Sequence, residues 1–177
     1  MEKLSKPARI IVVSSGTHDP ETIDGKFNKP VFLGAKQLAK PKDEKEMKGM
    51  QRYSTSKLAN LLFAYELARK TENKSITVNA FDPGAVPATN LIRSIKSPIA
   101  RRVVRVSTKI FKLLGVMVST PEISGGAMAR LLLDEKLDNI SGRYFQIFDE
   151  KKSSNLSYNK TIANELWRDS EELTGIK

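Results

Sequence analysis

Arg9-Ile10-Ile11-Val12-Val13-Ser14-Ser15-Gly16 is a short β-branched run that stops at a small polar cluster. A run apolar on both faces fits a strand buried within a parallel sheet, with helices covering it on either side. Working outward, Ser75-Ile76-Thr77-Val78-Asn79-Ala80-Phe81 reads as a second strand, stopped by Asp82-Pro83-Gly84. Between the two, Arg52 to about Lys70 carries Leu58, Leu61, Leu62, Tyr65, Leu67 and Ala68 at helical spacing. Gly16 to about Met50 shows no clear periodicity and holds Pro20, Pro30 and Pro41, so a long loop is expected there.

Further on, Ser97 to about Met117 reads as an amphipathic helix. Ile99, Val103, Val106, Ile110, Leu113, Leu114 and Met117 share one side, and Arg101, Arg105, Lys109 and Lys112 the other. Thr120-Pro121-Glu122 opens another helix, running to about Asp134, with a capping hydroxyl, proline at the first position and an acid in the first turn. Gly142 to Ile147 is the third expected strand. Thr161 to Leu173 is the last helix, with Gly175 placed to end it. Strands alternating with helices imply an α/β domain with parallel strands and right-handed crossovers. In such sheets chemistry sits beyond the carboxyl ends of the strands, where Ser14-Ser15-Gly16 and Asp82-Pro83-Gly84 lie.

Composition narrows the chemistry. The 177 residues are 40% hydrophobic and 28% charged, which suits one globular domain. With no cysteine and His18 as the single histidine, disulfides, thiolate chemistry and a histidine-built metal site are excluded, and no metal is expected. His18 follows the first strand in a polar segment and reads as a solvated loop residue. The formal charge is +10, much of it from Lys96, Arg101, Arg102, Arg105, Lys109 and Lys112, a run without an acid among them. No aromatic interleaving or base-reading motif accompanies it, so a nucleic-acid partner is not expected. From its residues the helix over 97–117 reads as a solvated face or as a peripheral contact with an anionic membrane. No stretch of about 18 apolar residues and no signal-type segment is present, so a cytoplasmic or membrane-peripheral placement is expected.

Tyr53-Ser54-Thr55-Ser56-Lys57 opens the first long helix, and Tyr53 and Lys57 fall one turn apart on one face. A phenol, with an ordinary pKa of about 10, is a poor base at neutral pH. An ammonium nearby favours the phenolate, which makes such a pair a usable acid/base group. A serine hydroxyl at a neighbouring strand tip could hold a carbonyl oxygen for proton transfer. Asp82, ahead of proline, reads as a turn residue rather than a general base.

Taken together, the strand ending in Ser14-Ser15-Gly16, the run Tyr53 to Lys57 continuing Leu58-Ala59-Asn60, and Ile76 to Val86 with its Asp82-Pro83-Gly84 stop resemble the short-chain dehydrogenase/reductase family. The Ser56-Lys57-Leu58-Ala59-Asn60 run, the insert before Tyr53, Ser141-Gly142-Arg143-Tyr144-Phe145 and the segment Leu166 to Gly175 are similar to its retinol dehydrogenase-like and protochlorophyllide reductase-like branch. The resemblance implies a Rossmann-like doubly wound sheet, of which this chain is the C-terminal portion, strands five to seven of seven. It implies hydride transfer between a nicotinamide cofactor and a carbonyl or alcohol, with NADP(H) favoured over NAD(H). Tyr53 would be the proton donor or acceptor, Lys57 would bind the nicotinamide ribose, and Ser15, in preference to Ser14, would orient the substrate. Pro83, Gly84 and Val86 would wall the nicotinamide, with Thr89 near its carboxamide or the phosphates.

The family's glycine-rich phosphate turn, Gly-x-x-x-Gly-x-Gly, is absent from these residues, as is its Asn-Asn-Ala-Gly segment. The expectation is therefore a single partial domain over 1–177 with an insert loop over 16–50 and weak cofactor affinity, and the resemblance implies a substrate lid over 89–120 that takes in the helix over 97–117. Where light-dependent pigment reductases carry cysteine after Pro-Gly, this chain has Ala85, which argues against pigment reduction. Two non-enzymatic readings stand beside the oxidoreductase: a truncated fragment acting through an exposed sheet edge, and a membrane-surface protein using the basic helix.

Overall fold

The computed structural model describes residues 4–40, 47, 49–86 and 117–176. Thr89 and residues 97–116 of the expected basic helix lie outside the described residues, as does most of the expected lid. Four strands form one sheet in chain order: β1 (Ala8–Val13), β2 (Ile76–Asp82), β3 (Tyr144–Gln146) and β4 (Asp149–Lys151). The pairs β1/β2 and β2/β3 are parallel, and β4 returns antiparallel along β3. Helices cover both faces of this mostly parallel sheet, an α/β, Rossmann-like architecture.

Period-two alternation assigns the faces. Ala8, Ile10 and Val12 of β1, Ile76, Val78 and Ala80 of β2 and Tyr144 of β3 pack against Leu61, Ala64, Tyr65 and Leu67 of α3 (Gly49–Lys70). On the opposite face, Ile11, Phe81 and Phe145 meet Ala127 and Leu131 of α4 (Pro121–Leu133). Leu58 and Leu62 continue through α3 to a third cluster with Ala35 of α2 (Ala35–Ala39) and with Ala163 and Leu166 of α5 (Lys160–Thr174). Helix α3 therefore buries two stripes, one on the sheet and one on α2 and α5. Leu58, Leu61 and Leu62 are fully buried, and burying each such side chain stabilises the fold by about 1.5–3 kcal/mol.

Helix ends follow local chemistry. Thr120 Oγ1 accepts from Ile123 N at the start of α4, ahead of Pro121 and Glu122. At its far end the Arg9 guanidinium donates to the carbonyls of Leu131 (3.1 Å) and Asp134 (2.8 Å). Asn159 Oδ1 caps α5, and Gly175 ends it at a φ of 67°.

Three details differ from the sequence expectation. The 16–50 stretch holds a 3-10 turn (Gly16–His18), α1 (Ile23–Lys26) and α2, and α3 begins at Gly49 rather than Arg52. The third strand is shorter, and β4 follows it through Ile147 at a φ of 55°. His18 is buried, not solvated.

Candidate active site at the β1 and β2 tips

Backbone hydrogen bonds run from Ala8 N to Ser75 O and from Ser14 N to Phe81 O. Alternation then turns the backbone groups of Arg9, Ile11 and Val13 away from β2, toward the sheet edge. The Val13 carbonyl is met there by α3: Asn60 Nδ2 donates at 2.8 Å and Lys57 Nζ lies 3.5 Å away. Ser14 Oγ donates to Lys57 O at 2.9 Å, so two strand-tip residues are stitched to one turn of the helix. Lys57 Nζ also lies 5.4 Å from the centroid of the Tyr53 ring, within cation–π range. Tyr53 is 39% exposed, so its phenol stands open at the surface beside the ammonium.

Ser15 stands at the entrance of the 3-10 turn and accepts from Thr17 N at 3.4 Å through its Oγ. Ser14 is buried with its hydroxyl committed to Lys57 O, whereas Ser15 is half-buried. No hydrogen bond joins the Tyr53 hydroxyl to Ser15 Oγ, while Lys57 reaches both Tyr53 and the strand tip that carries Ser15.

The β2 tip is held by a buried carboxylate. Asp82 Oδ1 accepts from Gly84 N (2.9 Å), and Oδ2 accepts from Tyr144 Oη (3.1 Å) and Gln146 Nε2 (3.0 Å). Burial, and then the Asp82 charge, push the Tyr144 phenol well above its ordinary range. Gly84 turns at a φ of 71°, and a Cβ there would lie 3.0 Å from Met117 O. Ala85 exchanges backbone bonds with Met117 and Ser119, and Ser124 Oγ donates to Pro83 O at 2.7 Å. Pro83 and Gly84 are thereby fixed past β2, and with Val86 they are half-buried.

Sequence reasoning assigned no role to Asn60, although its helical spacing from Tyr53 and Lys57 was visible. It also missed Tyr144 and Gln146 as partners of Asp82. His18 Nδ1 lies 2.6 Å from Ser15 O and its Nε2 accepts from Ser154 N at 3.1 Å. Burial lowers its pKa, against the Ser15 bond and the charges of Asp19 and Asp82 that would raise it. Among the described residues no cluster of metal-ligating side chains is present, and no helix is long and apolar enough to cross a membrane.

No family model matches the sequence. Retinol dehydrogenase 14 of Mus musculus is 33% identical over 175 residues, covering 98% of this chain and 46% of that protein. Dehydrogenase/reductase SDR family member 13 of Bos taurus is 30% identical over 180 residues, covering 98% and 41%. The chain thus spans about half the length of the curated relatives it matches. Among solved structures, an uncharacterized protein from Mycobacterium Paratuberculosis superposes with a TM-score of 0.51 at 20% identity, over 95% of this chain and 50% of that one, a likeness of fold.

Proposed function

The chain belongs to the short-chain dehydrogenase/reductase family, and from that premise we propose that it serves an oxidoreductase interconverting a carbonyl and an alcohol with NADP(H). The observation that carries this reading is Lys57, whose ammonium sits beside the Tyr53 ring and at the β1 tip next to Ser15.

The residues present suit the nicotinamide–ribose end of such a cofactor. Lys57 offers three ammonium donors at a strand tip. The Pro83–Gly84 shelf, held by Asp82 and Ser124, supplies a rigid wall at the neighbouring tip. Tyr53, Lys57, Pro83, Gly84, Val86 and Thr89 are the residues proposed to hold it, with NADP(H) favoured over NAD(H) by resemblance to the retinol dehydrogenase-like branch. The diphosphate end finds no glycine-rich turn in these 177 residues, so weak binding by this chain is expected. When bound, the cofactor supplies or accepts the hydride.

The protein's part is position and proton. The Ser15 hydroxyl donates to the substrate oxygen and holds it. In the reducing direction Tyr53 gives its phenolic proton to that oxygen, and in the oxidising direction it takes the proton back. The Lys57 ammonium offsets the negative charge left on Tyr53. The relatives' names point to retinol-like alcohols and aldehydes, and an apolar substrate of that class is proposed here.

The test is NADPH oxidation by the chain, with NADPH raised to saturation, against retinal and a panel of aldehydes and ketones. Turnover is expected, and Tyr53→Phe should lower it by about 10²–10⁴-fold. Unchanged turnover in Tyr53→Phe, or none with any substrate at any NADPH concentration, refutes the reading.

A second reading is favoured by β1, which among the described residues pairs only with β2. Its outward backbone groups at Arg9 and Ile11 could bind a partner strand, making the chain a non-catalytic binding fragment. A strictly monomeric chain, with unchanged amide exchange in β1 at all concentrations, counts against self-pairing through that edge.

A further inference from the structure

We infer that His18 is the positioning residue for Ser15: as a neutral imidazole it ties the β1 tip to the Ser153–Ser154 turn and so fixes where the Ser15 hydroxyl stands. This rests on the proposed role of Ser15 and adds the device that holds it.

The hydrogen-bond chemistry leaves one protonation state. Ser154 N can only donate, so the Nε2 it meets at 3.1 Å must be bare. Ser15 O can only accept, so the Nδ1 at 2.6 Å must carry the proton. The neutral Nδ1–H tautomer satisfies both, and a second proton on Nε2 would set two donors against each other. His18 N also donates to Ser15 O at 3.1 Å, so this one carbonyl takes two bonds from the same residue. With the carbonyl pinned and its Oγ accepting from Thr17 N, Ser15 keeps its hydroxyl proton free to donate outward.

The groups facing the ring agree. Asp19 lies beside it in sequence, Asp82 reaches it from β2, and Tyr144 of β3 packs against it with ring centroids 5.1 Å apart at 68°. Both carboxylates favour a charged imidazole, and burial at 2% exposure outweighs them. On its far side, Ser154 belongs to a tight polar turn. Ser157 Oγ donates to Ser154 O at 2.6 Å and bonds Ser153 Oγ at 2.6 Å, and Ser153 Oγ meets Tyr65 Oη at 2.7 Å. The anchor is therefore fixed at both ends: by α3 through Tyr65, and by the turn ahead of α5.

His18 is the only histidine, so one imidazole signal reports on it without assignment. Long-range ¹H–¹⁵N spectra of the chain should show the Nδ1–H tautomer, titrating below the ordinary value of about 6.5. The amides of Ser15, Thr17 and Ser154 should move with the same midpoint. His18→Asn keeps a donor near Nδ1, whereas His18→Gln carries its amide toward Ser154. The Ser15 and Thr17 amides should stay near their parent positions in His18→Asn and move in His18→Gln. Turnover should follow, with kcat lowered about 10- to 100-fold in His18→Gln at little change in KM for NADPH, and largely restored in His18→Asn. An Nε2–H tautomer, an ordinary solvent-exposed titration, or equal effects of both substitutions on the Ser15 amide overturns the inference. Should His18→Gln fail to fold, tautomer and titration of the unaltered chain decide it. Tyr53→Phe leaves these imidazole signals unchanged, so failure of the catalytic reading and failure of the anchor are told apart.

Discussion

Replacing Tyr144 with phenylalanine tests whether the β2 tip is held electrostatically. Tyr144 and Asp82 are 4% and 2% exposed, and the phenol donates to Oδ2 at 3.1 Å. The substitution keeps the ring, and with it the contacts to α3 and the edge of His18. What is lost is one hydrogen bond to a buried carboxylate, worth about 1.5–3 kcal/mol. In a chain of this length each kcal/mol lowers Tm by about 2–4 °C, so a fall of about 4–8 °C is expected for a loss near 2 kcal/mol. The Gly84 amide keeps its bond to Oδ1, so the turn itself should survive. Gln146 Nε2 shares Oδ2, so the pair must couple. Either single variant leaves one donor there, and Tyr144→Phe with Gln146→Ala leaves none, so the double variant should lose more than the sum of the singles. Thermal melts followed by far-UV circular dichroism measure all three. A fall below about 1 °C for Tyr144→Phe, together with strict additivity in the double, refutes the account of the tip.

Three other outcomes follow from the same geometry. Gly84→Ala places a side chain at a φ of 71° and 3.0 Å from Met117 O, and should destabilise by about 1–2 kcal/mol in urea melts. Leu58→Ala removes a fully buried side chain between α2, α3 and α5 and should cost about 2–5 kcal/mol by the same measurement. Stability should fall as pH drops below about 6.5. Because the folded pKa of His18 is lowered, the unfolded chain takes up the proton first, and acid then favours unfolding until the folded value is passed. Its share of the slope is at most about 1.4 kcal/mol per pH unit. Urea midpoints between about pH 7.5 and pH 5.5, either side of the ordinary histidine value, should show the slope in the parent chain and lose it in His18→Phe.

The strands that carry the fold were legible for a local reason. β1 is a β-branched apolar run, β2 sets Ile76, Val78 and Ala80 on one face, and both stop at polar or turn residues, so period and punctuation agree. β4 has no such signal: Asp149, Glu150 and Lys151 are all exposed, and the strand exists because β3 offers an edge one turn away. The helices of 16–50 failed to register because four or five residues cannot display a 3.6-residue period. They are set instead by single contacts, such as Thr22 Oγ1 accepting from Gly25 N at 3.2 Å.

The site divides along the same line, between what spacing dictates and what only folding brings together. Tyr53 and Lys57 were visible because four residues on a helix put both on one face. His18 was misread because its polarity was weighed without Ser154, a partner 136 residues away. Asp82 was read as a turn residue, which its bond to Gly84 N agrees with, but Tyr144 and Gln146 lie 62 and 64 residues on. Asn60 is the instructive case. Seven residues after Tyr53 and three after Lys57, it had to share their face, so its position was available from the sequence. Its task was not, because the acceptor is a carbonyl of β1 left facing outward by the parity of the strand's pairing. Had the register slipped by one residue, Val13 O would bond β2, a neighbouring residue's carbonyl would take its outward place, and Ser15 would shift relative to Asn60 and Lys57. The placement of Ser15 relative to the Lys57 ammonium is therefore tied to the β1/β2 register, and a change that shifts that register moves the site even if every residue of it is kept.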